Sequence, residues 1–278
     1  MLFPSLPLDS WRRTRDSLHT YVRLAGAIRR ALTPPQKHWW HISLHTGACG
    51  LTTTPMPAGP LTCELLLDFT THDLSIASSR GHWWDVNLEE QSTRDVWEAT
   101  LAALEQIDVR PELDDGSFRS DQPNPYNAIA VERYWQALAQ IDILLKQFGG
   151  ELREETSPVQ LWPHHFDLSL VWFSGRRVPG EEDPGMADEQ MAFGFSTGDE
   201  SMADAYCYVT AYPWQEELME ARLPEDARWQ LSGWRGALLP YETLRQQPEP
   251  RAFLLAFWRD LQHTGARLMA PGRPGPAV

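Results

Sequence analysis

The sequence predicts an α+β fold made of two α-β4-α units in tandem, their strands mainly antiparallel and their sheets covered by helices on one side. Three observations predict it. Apolar residues recur at three- and four-residue steps in four stretches, at 9–32, 92–107, 127–148 and 249–264. Short alternating runs lie between them. Shifting the chain by 124 residues then aligns 11–45 with 135–169 without gaps and gives seven identities (Trp11/Trp135, Gly26/Gly150, Arg29/Arg153, Pro34/Pro158, Gln36/Gln160, His41/His165, Leu44/Leu168), where chance at about 6% per position gives about two. A second block, Phe69–Asp73 against Phe195–Asp199, agrees at a shift of 126.

The elements follow in chain order. Asp9 or Ser10 caps a first helix that buries Trp11, Leu18, Tyr21, Val22, Ala25, Ile28 and Leu32, and Pro34-Pro35 ends it. HWWHISLH (38–45) alternates, Trp40, Ile42 and Leu44 against His41, Ser43 and His45, which predicts a strand. Strands are expected also at 61–69, 73–79 and 82–88. Ser92 and Asp95 resemble a capping box before a helix carrying Val96, Leu101, Leu104 and Ile107. Residues 111–126 are polar and proline-rich and read as a linker. Asn127 caps a third helix with the stripe Val131, Tyr134, Leu138, Ile141, Leu145 and Phe148, and Gly149-Gly150 marks its end or a break near it. Strands are expected at 164–173, 189–196, 205–212 and 229–239, with a short helix at 214–223 and a final one at 249–264. Residues 1–265 read as one integrated domain of two repeats, 9–110 and 127–265, and 266–278 as a disordered tail.

Composition narrows the function. The chain has 278 residues, 42% hydrophobic and 11% aromatic with 13 tryptophans, which is ample for a core. A net charge of −14 disfavours nucleic acid and anionic lipid as partners. The three cysteines, Cys49, Cys63 and Cys207, are widely spaced and form no CxxC, which fits reduced thiols in a cytoplasm. The opening MLFPSLPLDSW has no signal-peptide character, and no apolar run approaches the roughly 20 residues that span a bilayer.

Six histidines sit beside strand-like aromatics: His38, His41, His45, His82, His164 and His165. On a strand, His41 and His45 stand about 13 Å apart, too far to share one ion, and the glutamate of an HExxH helix is missing. No mononuclear metal site is therefore expected within this segment. A site built across the repeats is more credible, with His165, Asp167 and Ser169 sharing one strand face and His41 aligned to His165. An aspartate beside a histidine fixes its tautomer and raises its basicity, and the same pair is able to ligate a metal. Tyr206, Tyr208, Thr210 and Tyr212 share a face, as do Glu189, Met191, Phe193 and Phe195, and either set could wall a pocket. Against this stands the plainer reading that these side chains are satisfied core. No GxSxG occurs, so serine-nucleophile chemistry has no support, and no GxGxxG or GxxxxGK[ST] occurs, so nucleotide cofactors lack a motif and any cofactor stays unknown. The acidic run 181–189 reads as a solvated loop; Arg176-Arg177 after Ser174-Gly175 could hold an anion, though a charged turn is the commoner case.

HWWHISLHTGACGLTTTPMP (38–57) and SPVQLWPHHFDLSLVWFSGRRVPG (157–180), with EQMAFGFSTGDE (189–200) and YVTAYPW (208–214), resemble a prokaryotic family described only as a domain of unknown function. The resemblance covers roughly 10–265. It implies a bacterial family treated as one unit, and no activity, substrate or catalytic residue. Three readings stay open. The first is a small-molecule binding protein or unassigned enzyme whose pocket between the repeats is lined by His41, His45, His165, Asp167 and Tyr208. The second is a metal-dependent hydrolase using histidine and aspartate from both repeats. The third is a non-catalytic interaction module whose Trp-rich strands bury a homodimer or partner surface.

Overall fold

The computed structural model describes residues 3–113, 115–198 and 202–269. Within them the chain forms helices and two antiparallel sheets of six strands each, an α+β fold with two more strands per sheet than the sequence suggested. The chain divides into two units. The first comprises 6–137 with 161–166, and the second 3–5, 138–160 and the described residues from 167 on.

In the first unit α1 (Leu8–Leu32) follows Pro7 and buries Trp11, Leu18, Tyr21, Val22, Ala25 and Ile28. Each such aliphatic side chain contributes about 1.5–3 kcal/mol when fully removed from water. Neither Asp9 nor Ser10 caps it; the Ser10 hydroxyl instead donates to the Pro7 carbonyl. Six strands follow: β1 (His45–Thr46), β2 (Gly50–Thr52), β3 (Met56–Ala58), β4 (Leu61–Asp68), β5 (Asp73–Ser78) and β6 (Trp83–Asn87). Their order is β1-β2-β4-β5-β6, with β3 beside β4. β4 alternates as its sequence does, burying Leu61, Cys63, Leu65 and Leu67. α2 (Thr93–Glu105) packs on β5 and β6, and the Ser92 hydroxyl accepts its Asp95 N–H at 3.0 Å.

Phe118 and Asn124 of the proline-rich stretch 111–126 pack against this first unit. Phe118 stacks on Trp97 at 4.7 Å, and the Asn124 side chain donates to the Tyr21 hydroxyl and to Thr93. The division between units falls instead inside α3 (Ala128–Glu151), after Ala137. Asn127 caps α3 through the Ala130 N–H, and Gly149-Gly150 stay inside its last turn.

The second sheet contains β7 (Gln160–Trp162), β8 (Asp167–Arg177), β9 (Asp188–Ser196), β10 (Tyr206–Tyr212), β11 (Arg228–Gln230) and β12 (Gly236–Pro240), ordered β11-β12-β10-β9-β8-β7. The expected strand 229–239 is thus a hairpin, and the expected helix at 214–223 is one 3-10 turn, Glu216–Glu220. α4 (Tyr241–Gln246) and α5 (Pro250–Leu268) close the unit. Leu168, Leu170, Met191, Phe193 and Phe195 face the helices: Phe193 meets Phe148 of α3 at 4.8 Å, and Met191 lies against Gly265 of α5. α5 continues through 266–268 and Met269 is buried, so the expected tail does not begin at 266; its part from 270 on lies outside the described residues.

Two expected strands are corrected. Residues 37–42 form a 3-10 turn in which His38 (φ 55°) and Trp39 (φ 61°) adopt left-handed backbone. Of the 38–45 run only His45 is strand, opening β1 (His45–Thr46). Leu44 is fixed by paired backbone bonds to Leu161, both 2.8 Å, and that long-range bridge, not local alternation, sets the segment's path. Before β8, Pro163 lacks an N–H and holds its φ. The chain turns through His164 and His165, with the Phe166 N–H returning to the Trp162 carbonyl at 2.8 Å. The histidines are therefore mostly turn residues, not strand residues.

The burial patterns of α1 and α3 coincide residue for residue over 11–25 and 131–145, a shift of 120. The identities set the shift at 124, about one helical turn away. Gly26 and Gly150 have different surroundings: Gly26 lies against Pro163, and Gly150 has nothing within 4 Å of where a side chain would start.

Gly50 is held by close approach. A Cβ there would sit 1.9 Å from the Leu67 carbonyl oxygen, across the β2–β4 pairing. Backbone cannot yield cheaply, so Gly50→Ala is expected to cost about 1–3 kcal/mol or more. The drop appears as a lower midpoint in urea unfolding.

Candidate functional site

Register builds the site in the second unit. Ser169 on β8 and Tyr208 on β10 both stand opposite Gly194 of β9, and Asp167 stands opposite Ser196. With strands about 4.8 Å apart, Tyr208 starts nearly 10 Å from β8. Its ring spans that distance by lying flat across Gly194: a Cβ at 194 would be 2.5 Å from the Tyr208 Cζ and 2.6 Å from its hydroxyl. The phenol hydroxyl donates to the Asp167 carboxylate in a short hydrogen bond, and Ser169 bonds it as well. Asp167 is 8% exposed and Ser169 1%. Burial, then the neighbouring Asp167 charge, pushes the Tyr208 phenol well above its ordinary range, so it remains a donor.

Aromatic groups cover this pair. Trp234, in the β11–β12 turn, stacks on Tyr206 at 5.9 Å and meets Tyr208 edge-on at 6.2 Å. Tyr206, Tyr208, Thr210 and Tyr212 share this face, as their alternation predicted, and the Tyr212 hydroxyl donates to Glu181. The face lies opposite the helices. A carboxylate, a serine hydroxyl and a phenol under aromatic rings can hold a molecule bearing hydroxyl or ammonium groups by accepting its hydrogen bonds.

Of the five predicted residues, the structure joins Asp167 and Tyr208. His41, His45 and His165 belong to the first unit. His41 is buried in the 37–42 turn, where its Nδ1 accepts the Gln36 N–H at 3.2 Å and its ring stacks on Trp39. His45 pairs with Thr52 in β1 and is half-buried. His165 is exposed in the turn before β8, its ring 4.2 Å from that of His164. It does not share a strand face with Asp167 and Ser169, because Phe166 takes a left-handed φ of 56° between them. No hydrogen bond or ring contact joins His41 to His165 among the described residues.

Glu189, expected on a strand face with Met191, Phe193 and Phe195, is 4% exposed on β9; the Ser174 hydroxyl donates to it at 2.5 Å and Arg176 approaches to 3.9 Å. Sequence reasoning missed His19 on α1, whose Nε2 lies 2.9 Å from the Pro163 carbonyl while its ring stacks on Phe166. Among the described residues no group of three or more His, Cys, Asp or Glu is arranged to hold a metal ion, and all three cysteines are free. No helix is long and apolar enough to cross a membrane.

A family model described as a family of unknown function (DUF5996) matches residues 3–272. No curated protein and no solved structure matches the chain.

Two outcomes follow from this geometry. Tyr208→Phe removes a hydrogen bond to a buried carboxylate and is expected to lower stability by about 1–3 kcal/mol, while Gly194→Ala, which pushes the ring off Asp167, gives a comparable loss; both are read by urea unfolding. The second concerns pH. Burial, first of all, lowers the imidazole pKa values of His19, His41 and His164, the last to about 4. The unfolded chain binds protons more readily, so stability is intact above about pH 6.5 and falls as pH drops from there toward 4. Replacing the three with Gln is expected to flatten the urea midpoint between pH 7 and 5.

Proposed function

The chain belongs to the DUF5996 family, and we propose that it is a small-molecule binding protein whose polar anchor is the Asp167–Tyr208 pair of the second unit. One observation carries this reading: glycine at 194 lets a phenol cross a whole strand to reach a buried carboxylate, on the sheet face opposite the helices. A core needs no such arrangement, since an apolar side chain at 208 would fill the same space without burying a charge. Asp167 accepts from the ligand, Ser169 and Tyr208 orient that carboxylate, and Tyr206 with Trp234 supplies an aromatic wall. The ligand class that fits is a small polyol or a small organic amine.

The other two readings have less support. The metal-dependent hydrolase has no ligand cluster among the described residues. For the interaction module, Trp39 and Trp83 are the exposed tryptophans among the described residues, and the Trp83 indole is bonded to Asp85.

The test is a thermal-shift screen of the full chain against a panel of sugars, polyols and primary amines, followed by calorimetric titration of any hit. Binding is expected in the wild type, with about tenfold or greater loss in Asp167→Asn and Tyr208→Phe. A hit whose affinity is unchanged by both substitutions, or the absence of any hit across both classes, overturns the proposal.

A further inference from the structure

α1 carries six arginines and two aspartates in a chain whose net charge is −14. Its last turn holds Arg29 and Arg30, and the two differ: Arg30 is exposed, while Arg29 is only 5% exposed. The Arg29 Nη1 donates to the Thr54 hydroxyl at 2.9 Å. Its Nε is buried with no hydrogen-bond partner. Among the described residues no carboxylate lies within ion-pair distance of it. A guanidinium that leaves water without a counter-charge is costly, and buried arginines are normally paired.

Thr33, whose N–H donates to the Arg29 carbonyl at 2.8 Å, has a buried hydroxyl without a partner, as has the Trp40 indole N–H in the 37–42 turn. His41 feels the charges of Arg30 and Arg29. Its Nδ1 accepts the Gln36 N–H, which leaves Nε2 to carry the ring proton as a donor. Glu64 on β4 accepts from the Thr52 hydroxyl at 2.5 Å, and Thr52 in turn accepts the Thr54 N–H at 2.7 Å. Thr54 itself is a β-branched residue held at φ 56°, a conformation maintained against strain.

We propose that Arg29, with His41 beside it, forms a binding site in the first unit for a small oxyanion, a carboxylate or a phosphate, received by the planar guanidinium fork. Such a ligand supplies the missing counter-charge and accepts from Nε and Nη2 in the two-point geometry that Arg offers and Lys does not. The site is independent of the Asp167–Tyr208 anchor.

The experiment is thermal unfolding and calorimetric titration of the full chain with sodium phosphate in one arm and sodium acetate or succinate in the other, against sodium chloride at equal ionic strength. The wild type is expected to gain about 3 °C in Tm at ten times Kd in at least one arm, and the responding arm identifies the anion. Arg29→Met is expected to abolish the gain and Arg29→Lys to weaken binding about tenfold. In chloride, Arg29→Met removes a lone buried charge, so its Tm is expected to equal or exceed that of the wild type. His41→Gln, which keeps the fold if Arg29→Met does not, is expected to weaken binding severalfold. Absence of any anion response in the wild type, or a response unchanged in Arg29→Lys and His41→Gln, overturns the proposal. A Tm drop in Arg29→Met without anion binding by the wild type leaves Arg29 as a strut for the Thr54 loop and overturns it equally.

Discussion

A single phenol-to-carboxylate bond that crosses a strand constrains the second sheet. Tyr208 reaches Asp167 only if β8, β9 and β10 hold their register, if position 194 has no side chain, and if both groups stay shielded from water. A slip of one residue in the β9–β10 pairing would send Tyr208 to the helix-covered face, because side chains alternate along a strand. The buried Cys207 and Val209 beside it on β10 would move to the opposite face. The polar bond and the hydrocarbon packing therefore specify the same register from opposite sides of one sheet.

Much of this was legible in the residues. The long helices follow from three- and four-residue spacing, and Ser92 and Asn127 act as the caps their side chains suit. The core strands β4, β5, β9 and β10 follow from alternation, and with them the shared face of Tyr206, Tyr208 and Tyr212. Asp167 and Tyr208 were both expected to line one pocket, but not to bond each other; what joins them is Gly194, and a glycine inside a strand announces only that something approaches closely, without saying what.

The histidines were the part that local pattern misled. Eight residues of alternation at 38–45 look like a strand, yet His38 and Trp39 turn the chain left-handed and Leu44 takes its partner from residue 161. A contact 117 positions away leaves no trace in a short window. The tandem identities carried a similar ambiguity. A shift of 124 and a shift of 120 place nearly the same stripe of a helix inward, so matching residues there follow from amphipathic periodicity as well as from common descent. Strands of two or three residues, such as β1, β2 and β3, are too short to display any period.

The first unit depends on six residues that come late in the chain. Leu161–Phe166 supply the backbone partner of Leu44, the proline against Gly26, the acceptor for His19 and the ring packed on Tyr134. During synthesis from the N-terminus, at about 5–20 residues per second, α1 and the strands after it emerge well before those residues do. The nascent first half must wait, with those contacts unmade, until a stretch encoded beyond α3 arrives to complete it.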